Sequence, residues 1–268
     1  MTSSFPRIEN AEQFGKVAVL MGGDSAEREV SLMTGQAVLK ALLHKGIDVH
    51  PVDAVGDLFS VLSRGRFDRV WLALHGRGGE DGTIQGLLTM MNIPFTGSAL
   101  LGSAISMDKL RTKRLLVGMS IDTPAYFELS GEQDFESVIG MLGLPMIVKP
   151  AAEGSSLGIT LVERPEQLAK AYHEAAKFRS EVFAETWISG PEYTAAVLHN
   201  QVLPLIRIDA ADGFYDYQAK YFSDETRYIC PCGLPEHQER LLAAVCMEAF
   251  IGVGASGWGR VGFMLADD

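Results

Sequence analysis

The chain has 268 residues and a mass of 29.1 kDa, with 47% hydrophobic and 21% charged residues. This length predicts about two compact domains, and the composition is typical of a globular protein rather than a disordered, collagen-like or coiled-coil chain. The formal net charge of −11 argues against a nucleic-acid partner, because phosphate backbones are bound by surfaces rich in Lys and Arg. No apolar run approaches the roughly 20 residues of a membrane span, so we expect no membrane segment.

The N-terminus and the cysteines indicate the compartment. Residues 1–16 lack both the apolar core of a signal peptide and the Arg-rich pattern of a transit peptide, so we expect a cytoplasmic protein. Cys230, Cys232 and Cys246 are too few for a disulfide framework and lack the C-x-x-C spacing of a zinc site. We therefore expect reduced cysteines and no metal held by them.

The first hundred residues alternate short apolar runs with amphipathic segments. The runs predict strands at 17–21, 49–52, 70–74 and 94–95, and the amphipathic segments predict helices at 27–45, 58–62 and 84–91. This alternation predicts an α/β domain with a doubly wound parallel sheet. Asp24 or Ser25 is the expected N-cap of the first helix, and Gly46 is expected to end it.

The remainder of the chain predicts a second unit. One helix is expected from Gly102 to about Val117, and the first clear strand is 145–149. Further strands are predicted at 159–162, 182–187, 192–198, 202–208 and 259–265, and further helices at 165–178 and 236–252. The aperiodic stretch 210–231 is long for a connector, which predicts a lid or binding loop. The G-x-G-x-x-G match at 252–257 follows a helix and precedes a strand, so it predicts a connector rather than a dinucleotide fingerprint.

Three glycine-rich loops follow predicted strands. The loop at 22–29 carries Glu27, which either complements a helix dipole or contacts a ligand at the carboxyl edge of the sheet. The loop at 75–82 reaches the same edge with His75, which is either an ordinary loop residue or part of a site. The loop after Lys149 is either a decorated hairpin or a flap over phosphates, and no Walker A sequence occurs in the chain.

Eight segments, taken in order, cover nearly the whole chain: GGDSAEREVS (22–31), ALHGRGGEDGTIQG (73–86), PFTGS (94–98), SMDK (106–109), PMIVKPAAEGSSLG (145–158), SGPEYT (189–194), YDYQAKY (215–221) and GWGR (257–260). Together they resemble the D-alanine–D-alanine ligases, ATP-grasp enzymes of peptidoglycan synthesis. The resemblance implies an N-terminal α/β substrate-binding domain at 1–103, a central ATP-grasp subdomain at 104–190, and a C-terminal subdomain at 191–268 that is incomplete and carries the lid.

The implied reaction uses ATP to phosphorylate the carboxylate of one D-alanine, and the amine of a second D-alanine then displaces the phosphate. The residues that match the family's ATP site are Lys109, Lys149, Glu185, Thr186, Trp187, Ile188, Glu192, Phe214 and Lys220. By resemblance, the lysines hold the phosphates, and Glu185 and Glu192 bind adenine and ribose. Residues 186–188 present backbone to the adenine, and Phe214 packs against it.

The resemblance also implies the residues around D-alanine. Glu27 orients the first D-alanine through its ammonium group, with His75 beside that subsite. Ser155 links Glu27 to Tyr221, which closes over the substrates so that water is excluded. Arg260 stabilises the oxyanion of the tetrahedral intermediate.

Two departures from the family pattern predict impaired activity. The position of the family's magnesium-binding aspartate is Gly262, and the chain ends at Asp268, before the segment that supplies the other magnesium ligands. We therefore expect ATP and Mg²⁺ as the family's cofactors but no protein ligand for the metal in this chain. The resemblance further implies a homodimer.

Three alternatives stay open at this point. The first is a non-catalytic remnant that binds ATP or D-alanine without ligating. The second is a nicotinamide oxidoreductase, which rests only on the α/β pattern and the glycine motif at 252–257. The third is a ligase that makes D-alanyl-D-lactate or D-alanyl-D-serine.

Overall fold

The computed structural model describes residues 8, 10–154, 156–209 and 225–266. The chain divides into two compact units, Met1–Leu100 and Leu101–Asp268. In the described part of the chain, no helix combines the length and the apolar character needed to cross a membrane. The three-part division at residues 103 and 190 stays a prediction.

Unit 1 contains a three-stranded parallel sheet. Its strands are β1 (Val17–Met21), β2 (Val49–Asp53) and β3 (Arg69–Leu72), in the order β2-β1-β3. Its helices are α1 (Arg28–His44), α2 (Leu58–Gly65) and α3 (Thr83–Met90), preceded by a 3-10 turn at Ala11–Phe14. The predicted strand at 94–95 forms only an isolated bridge between Phe95 and Val70.

The central strand β1 is buried on both faces, which is why its sequence is apolar throughout. On one face, Leu20 packs with Leu62 of α2 and Leu88 of α3. On the other face, Val19 packs against residues of α1, including Val38. Helices therefore cover both faces, and the predicted doubly wound arrangement is confirmed.

The start of α1 differs from the prediction. Neither Asp24 nor Ser25 is the N-cap: that position is held by Glu27, whose φ of −97° and ψ of 16° allow no side-chain cap bond. Ser25 instead stabilises the turn before the helix: its Oγ accepts a hydrogen bond from the Glu27 N–H at 3.2 Å. The helix ends as predicted, and Gly46 follows with a φ of 74°.

Unit 2 begins with two helices where one was predicted. They are α4 (Leu100–Met107) and α5 (Lys109–Gly118), and the single helix expected from 102 to 117 is wrong. Asp108 interrupts it with an extended backbone, φ −94° and ψ 100°, and its side chain accepts a hydrogen bond from the Arg111 N–H at 2.9 Å. This N-cap starts a new helix at Lys109.

The first sheet of unit 2 is antiparallel. It consists of β4 (Tyr126–Leu129), β5 (Met146–Pro150), β6 (Thr160–Val162) and β7 (Val182–Thr186), in the order β4-β7-β5-β6, with α6 (Phe135–Leu142) and α7 (Leu168–Ala176) packed against it. The sequence did not predict β4 or α6, and Pro165 begins a 3-10 turn, Pro165–Gln167, rather than α7 itself. Met146, Val148, Leu168 and Ala171 are fully buried in the core of this layer.

The second sheet of unit 2 is also antiparallel. It consists of β8 (Glu192–Leu198), β9 (Gln201–Val202), β10 (Ile206–Asp209), β11 (Arg227–Ile229) and β12 (Trp258–Met264), and α8 (Glu236–Gly252) packs on it. The strand predicted at 202–208 is divided into β9 and β10. The loop predicted at 210–231 is wrong at its end, where β11 pairs with β10, and residues 210–224 lie outside the described residues. The connector predicted at 252–257 is confirmed.

The register of this sheet separates its two faces. On one face, Gly262 lies opposite Thr194, and Met264 lies opposite Glu192. On the other face, Tyr193 and Phe263 stack with ring centroids 5.4 Å apart, in a core that includes Cys246 of α8. The face with Glu192 and Gly262 is therefore turned away from α8.

We expect Leu88→Ala to destabilise the chain by about 2–5 kcal/mol, because Leu88 is fully buried between α3 and the parallel sheet. Urea unfolding followed by circular dichroism measures this change. The matched control is Met90→Ala in the same helix, since Met90 is 85% exposed and should shift stability by no more than about 0.5 kcal/mol. Equal effects of the two variants would contradict the core assignment.

Candidate active site

A cavity of about 510 Å³ lies between the two antiparallel sheets of unit 2. Strands β5 and β7 contribute one wall, strands β8, β10 and β12 contribute the other, and residues 187–191 connect the two. Six of the residues predicted to bind ATP line this cavity: Lys149, Glu185, Thr186, Trp187, Ile188 and Glu192. Residues distant in sequence are thus brought to one place by sheet pairing.

Glu185, near the end of β7, forms a buried ionic cluster with two lysines. Its Oε2 accepts a hydrogen bond from Lys113 Nζ at 2.9 Å, and its Oε1 accepts one from Lys149 Nζ. Lys113 Nζ also donates to Thr123 Oγ1 at 2.8 Å. The side chains of Lys113, Glu185 and Lys149 are only 7%, 14% and 16% exposed, so water screens the cluster weakly.

Burial and charge act against each other in this cluster. Burial alone would raise the pKa of the Glu185 carboxyl, but the ammonium groups of Lys149 and Lys113 outweigh it and hold this pKa below its usual value. Burial lowers the pKa of Lys113, and the attraction of Glu185 only partly offsets this. The carboxylate is therefore ionised at neutral pH and bound on both oxygens.

The segment after β7 lines the cavity with residues 186–188. Two of its N–H groups have backbone acceptors: Thr186 donates to Ala125 O at 2.9 Å, and Trp187 donates to Pro145 O at 3.3 Å. The Ile188 N–H has no backbone acceptor among the described residues. Because Ile188 and Glu185 line the same cavity, this N–H is a candidate donor to a ligand bound there.

Lys109 lies at the start of α5 and contacts the loop that follows β5. Its N–H donates to Ala151 O at 2.9 Å, and its Nζ donates to Glu153 O. Lys109 does not belong to the described residues that line the cavity, but it holds the loop that begins beside the cavity-lining Lys149.

Strand β12 carries two predicted site positions on the face that is turned away from α8. Gly262 lines the cavity, and a Cβ built on it would meet only Tyr193 O, at 4.0 Å. Arg260 is exposed two residues earlier, opposite Ala196, and is not among the described lining residues. Within residues 8, 10–154, 156–209 and 225–266, no group of three or more His, Cys, Asp or Glu side chains is placed to hold a metal ion.

In unit 1, the two glycine-rich loops meet at the carboxyl edge of the parallel sheet, as predicted. Ser25 Oγ donates to His75 O at 2.8 Å, and Thr34 Oγ1 lies 3.1 Å from His75 Nε2. Ser31 Oγ joins the strand ends, accepting from the Gly22 N–H at 2.9 Å and donating to Ala73 O at 2.7 Å. The loops therefore form one polar surface.

Glu27 is buried at this edge, with 5% of its surface exposed. Its carboxylate lies against Gly76: a Cβ built on Gly76 would be 2.6 Å from Glu27 Oε2. The φ of Gly76 is 69°, a conformation that favours glycine. The glycine at 76 thus leaves room for the Glu27 carboxylate, which lies at the N-cap of α1.

Four predicted site residues, Ser155, Phe214, Lys220 and Tyr221, lie outside the described residues. Lys113 is a site residue that the sequence did not reveal. The available signal was its spacing, because Lys113 follows Lys109 by four residues and so lies on the same face of α5.

Two family models match the chain. The model described as the D-ala D-ala ligase C-terminus matches residues 119–268, and that described as the D-ala D-ala ligase N-terminus matches residues 57–98. Among the relatives, a D-alanine–D-alanine ligase from Nitrosococcus oceani is 54% identical over 252 residues, covering 94% of this chain and 80% of the relative. One from Aromatoleum aromaticum is 52% identical over 256 residues, covering 96% and 83%.

Solved structures are also similar. A D-alanine–D-alanine ligase from Bacillus anthracis complexed with ATP superposes with a TM-score of 0.82 at 30% identity, covering 94% of this chain and 82% of that one. A D-Ala:D-Ser ligase from Enterococcus faecalis gives a TM-score of 0.77 at 26% identity, covering 97% and 87%.

We expect Gly76→Ala to destabilise unit 1 more than Gly78→Ala. Both glycines have positive φ, 69° and 78°, so both variants carry the backbone cost of about 1 kcal/mol. Only at position 76 does the added methyl group meet Glu27, whereas a Cβ at position 78 meets nothing within 4 Å. Urea unfolding of the two variants should differ by about 1–3 kcal/mol, and equal losses would mean that Glu27 is not held where the structure has it.

Proposed function

The chain belongs to the D-alanine–D-alanine ligase family, and we propose that it uses ATP to join two molecules of D-alanine into D-alanyl-D-alanine for peptidoglycan synthesis. The observation that carries this proposal is the cavity of unit 2, where Lys149, Glu185 and the 186–188 segment lie together between two antiparallel sheets. The similar structure from Bacillus anthracis is a complex with ATP.

The part of the cavity proposed to bind the base offers one hydrogen-bond donor and one acceptor, which match those of adenine. Adenine presents an amino group beside a ring nitrogen that accepts hydrogen bonds. The Ile188 N–H supplies a donor, and the ionised Glu185 carboxylate supplies an acceptor. We propose that these two groups bind the base and that Glu192, on the opposite wall, binds the ribose.

The phosphate end requires concentrated cations, since the chain as a whole carries a net charge of −11. Lys149 lines the cavity, and Lys109 holds the loop that follows β5. We propose that both lysines bind the nucleotide phosphates, with the N–H groups of that loop as further donors. The same role is proposed for Lys220, and packing on the adenine is proposed for Phe214.

D-alanine is proposed to bind through charge as well. The buried Glu27 carboxylate would bind the ammonium group of the first D-alanine, next to His75. A carboxylate oxygen of that D-alanine attacks the γ-phosphorus of ATP, which gives an acyl phosphate and ADP. The amine of the second D-alanine attacks the acyl carbon and loses a proton, and inorganic phosphate leaves. Arg260 is proposed to stabilise the oxyanion formed in this step.

The described residues supply few groups for magnesium. None of them form a group of three or more His, Cys, Asp or Glu side chains placed to hold a metal ion, and the cavity-lining position on β12 is Gly262, although Glu192 and Asp209 also line the cavity. We propose that Gly262, which supplies no carboxylate to the cavity, lowers the turnover of this chain. The alternative to ligation is a non-catalytic protein that binds ATP. The homodimer and the cytoplasmic location stay predictions.

Phosphate release from ATP tests the proposed function. The purified chain, given ATP, Mg²⁺ and D-alanine, should release phosphate, whereas L-alanine should not support release. Lys149→Met should lower the rate by about 10²-fold or more, because it removes a fixed cation from the phosphates. D-serine and D-lactate, each added with limiting D-alanine, report on the second substrate. ATP binding without D-alanine-dependent release would favour the non-catalytic candidate.

Gly262→Asp should raise the D-alanine-dependent rate and lower the Mg²⁺ concentration at which it is half-maximal. Space exists for the side chain, since the nearest heavy atom to a Cβ at 262 is 4.0 Å away, and a carboxylate is a good ligand for Mg²⁺. Gly262→Asn is the matched control, because it has the same size without the charge. Identical magnesium titrations of the two variants and the parent chain would rule out this explanation of impairment.

A further inference from the structure

We propose that Lys113 is a positioning residue that fixes the charge of Glu185 and thereby sets the preference of the nucleotide site for a 6-amino purine over a 6-oxo purine. This inference rests on the proposed function, in which Glu185 meets the base. Lys113 is not one of the residues predicted to bind ATP. Its proposed role is to act through Glu185 rather than to contact the nucleotide.

The geometry assigns different tasks to the two lysines that bind Glu185. Lys149 lines the cavity and can be reached by a nucleotide, which can draw its ammonium group toward phosphate. Lys113 is absent from the described lining residues, its side chain is 7% exposed, and its ammonium group is held by Glu185 and by Thr123 Oγ1. Of the two lysines that bind Glu185 in the described structure, Lys113 is therefore the counter-ion that a bound nucleotide leaves in place.

Among the described residues, two cations bind Glu185: Lys113 from α5 and Lys149 from β5. The other titratable groups near it carry no positive charge: Tyr126 lies opposite it on β4, and Glu192 and Asp209 line the same cavity. Lys113 Nζ lies 5.3 Å from the centroid of the Tyr126 ring, so the aromatic face supports the same cation. Without Lys113, burial would favour the protonated carboxyl, opposed by Lys149 alone.

The charge of Glu185 decides which purine it accepts. An ionised carboxylate only accepts hydrogen bonds, so it matches the 6-amino group of adenine and repels the 6-oxo group of hypoxanthine. A protonated carboxyl can donate to that oxo group, so Glu185 then no longer distinguishes a 6-amino purine from a 6-oxo purine. The Ile188 N–H discriminates separately at the ring nitrogen, so removal of Lys113 should weaken the preference without abolishing it.

The experiment compares ATP with ITP, its 6-oxo analogue, in the full chain. Dissociation constants for both nucleotides are measured between pH 6 and 8 for the parent, Lys113→Met and Lys113→Arg, with thermal unfolding as the check of folding. Lys177→Met is the matched control, because Lys177 is an exposed lysine of unit 2 that pairs only with Glu174 in the described structure. Glu185→Gln provides a second route to an uncharged side chain if Lys113→Met does not fold.

In Lys113→Met, the preference for ATP over ITP should fall by about tenfold, because this is the effect expected from the loss of one hydrogen bond to a charged group. The preference should fall further as the pH is lowered, because the carboxyl with the raised pKa then takes up a proton. Lys113→Arg should keep the parent's preference, and Glu185→Gln should show the weakened preference at every pH, because the Ile188 N–H still discriminates at the ring nitrogen.

A folded Lys113→Met or Glu185→Gln variant with the parent's ATP-to-ITP ratio would overturn the inference while leaving the proposed function intact. A parent chain that binds neither nucleotide would overturn the proposed function itself. The two failures are therefore distinguishable in the same titrations.

Discussion

The cavity of unit 2 depends on a cluster of three buried charges. Lys113, Glu185 and Lys149 come from α5, β7 and β5, so their ion pairs join the helix to the wall of the cavity. Glu185 is the partner that both ammonium groups share, so its removal would leave two buried positive charges without compensation, whereas removal of one lysine leaves Glu185 with a single counter-ion. These ion pairs fix the spacing of α5, β5 and β7. The adjoining segment is held by backbone hydrogen bonds from Thr186 to Ala125 and from Trp187 to Pro145.

Much of the fold could be predicted because buried strands and helices show simple apolar patterns in the sequence. The five apolar residues of β1 predicted a strand covered on both faces, and the bounds of α8 agreed with its periodicity and its terminal glycine. The break at Asp108 could not be predicted, because a continuous helical period runs through it and only the side-chain cap stops the helix. The strand β4 was missed since its four residues, YFEL, show no clear alternation.

Part of the candidate site could likewise be predicted from the sequence, and part could not. Glycine-rich loops after strands predicted where His75 and Glu27 would lie, and the family resemblance supplied residues such as Glu185 and Glu192 that line the cavity. Lys113 escaped prediction because a lysine on a helix is ordinarily solvent-exposed. Its burial follows from pairing between elements far apart in sequence, so its spacing of four residues from Lys109 indicates only that the two lysines share a helix face. The space above Gly262 likewise emerges only from the register of β12 on β8.

The helix break at Asp108 has a geometric consequence. It makes Lys109 the first residue of α5, where both its N–H and its Nζ bind the loop after β5. Lys113 follows four residues later, a rise of about 6 Å along the helix axis, and there it binds Glu185. One turn of a single rigid helix thus fixes the separation between the loop and the carboxylate, so any movement of that loop that carries Lys109 with it also displaces Lys113 and, through it, Glu185.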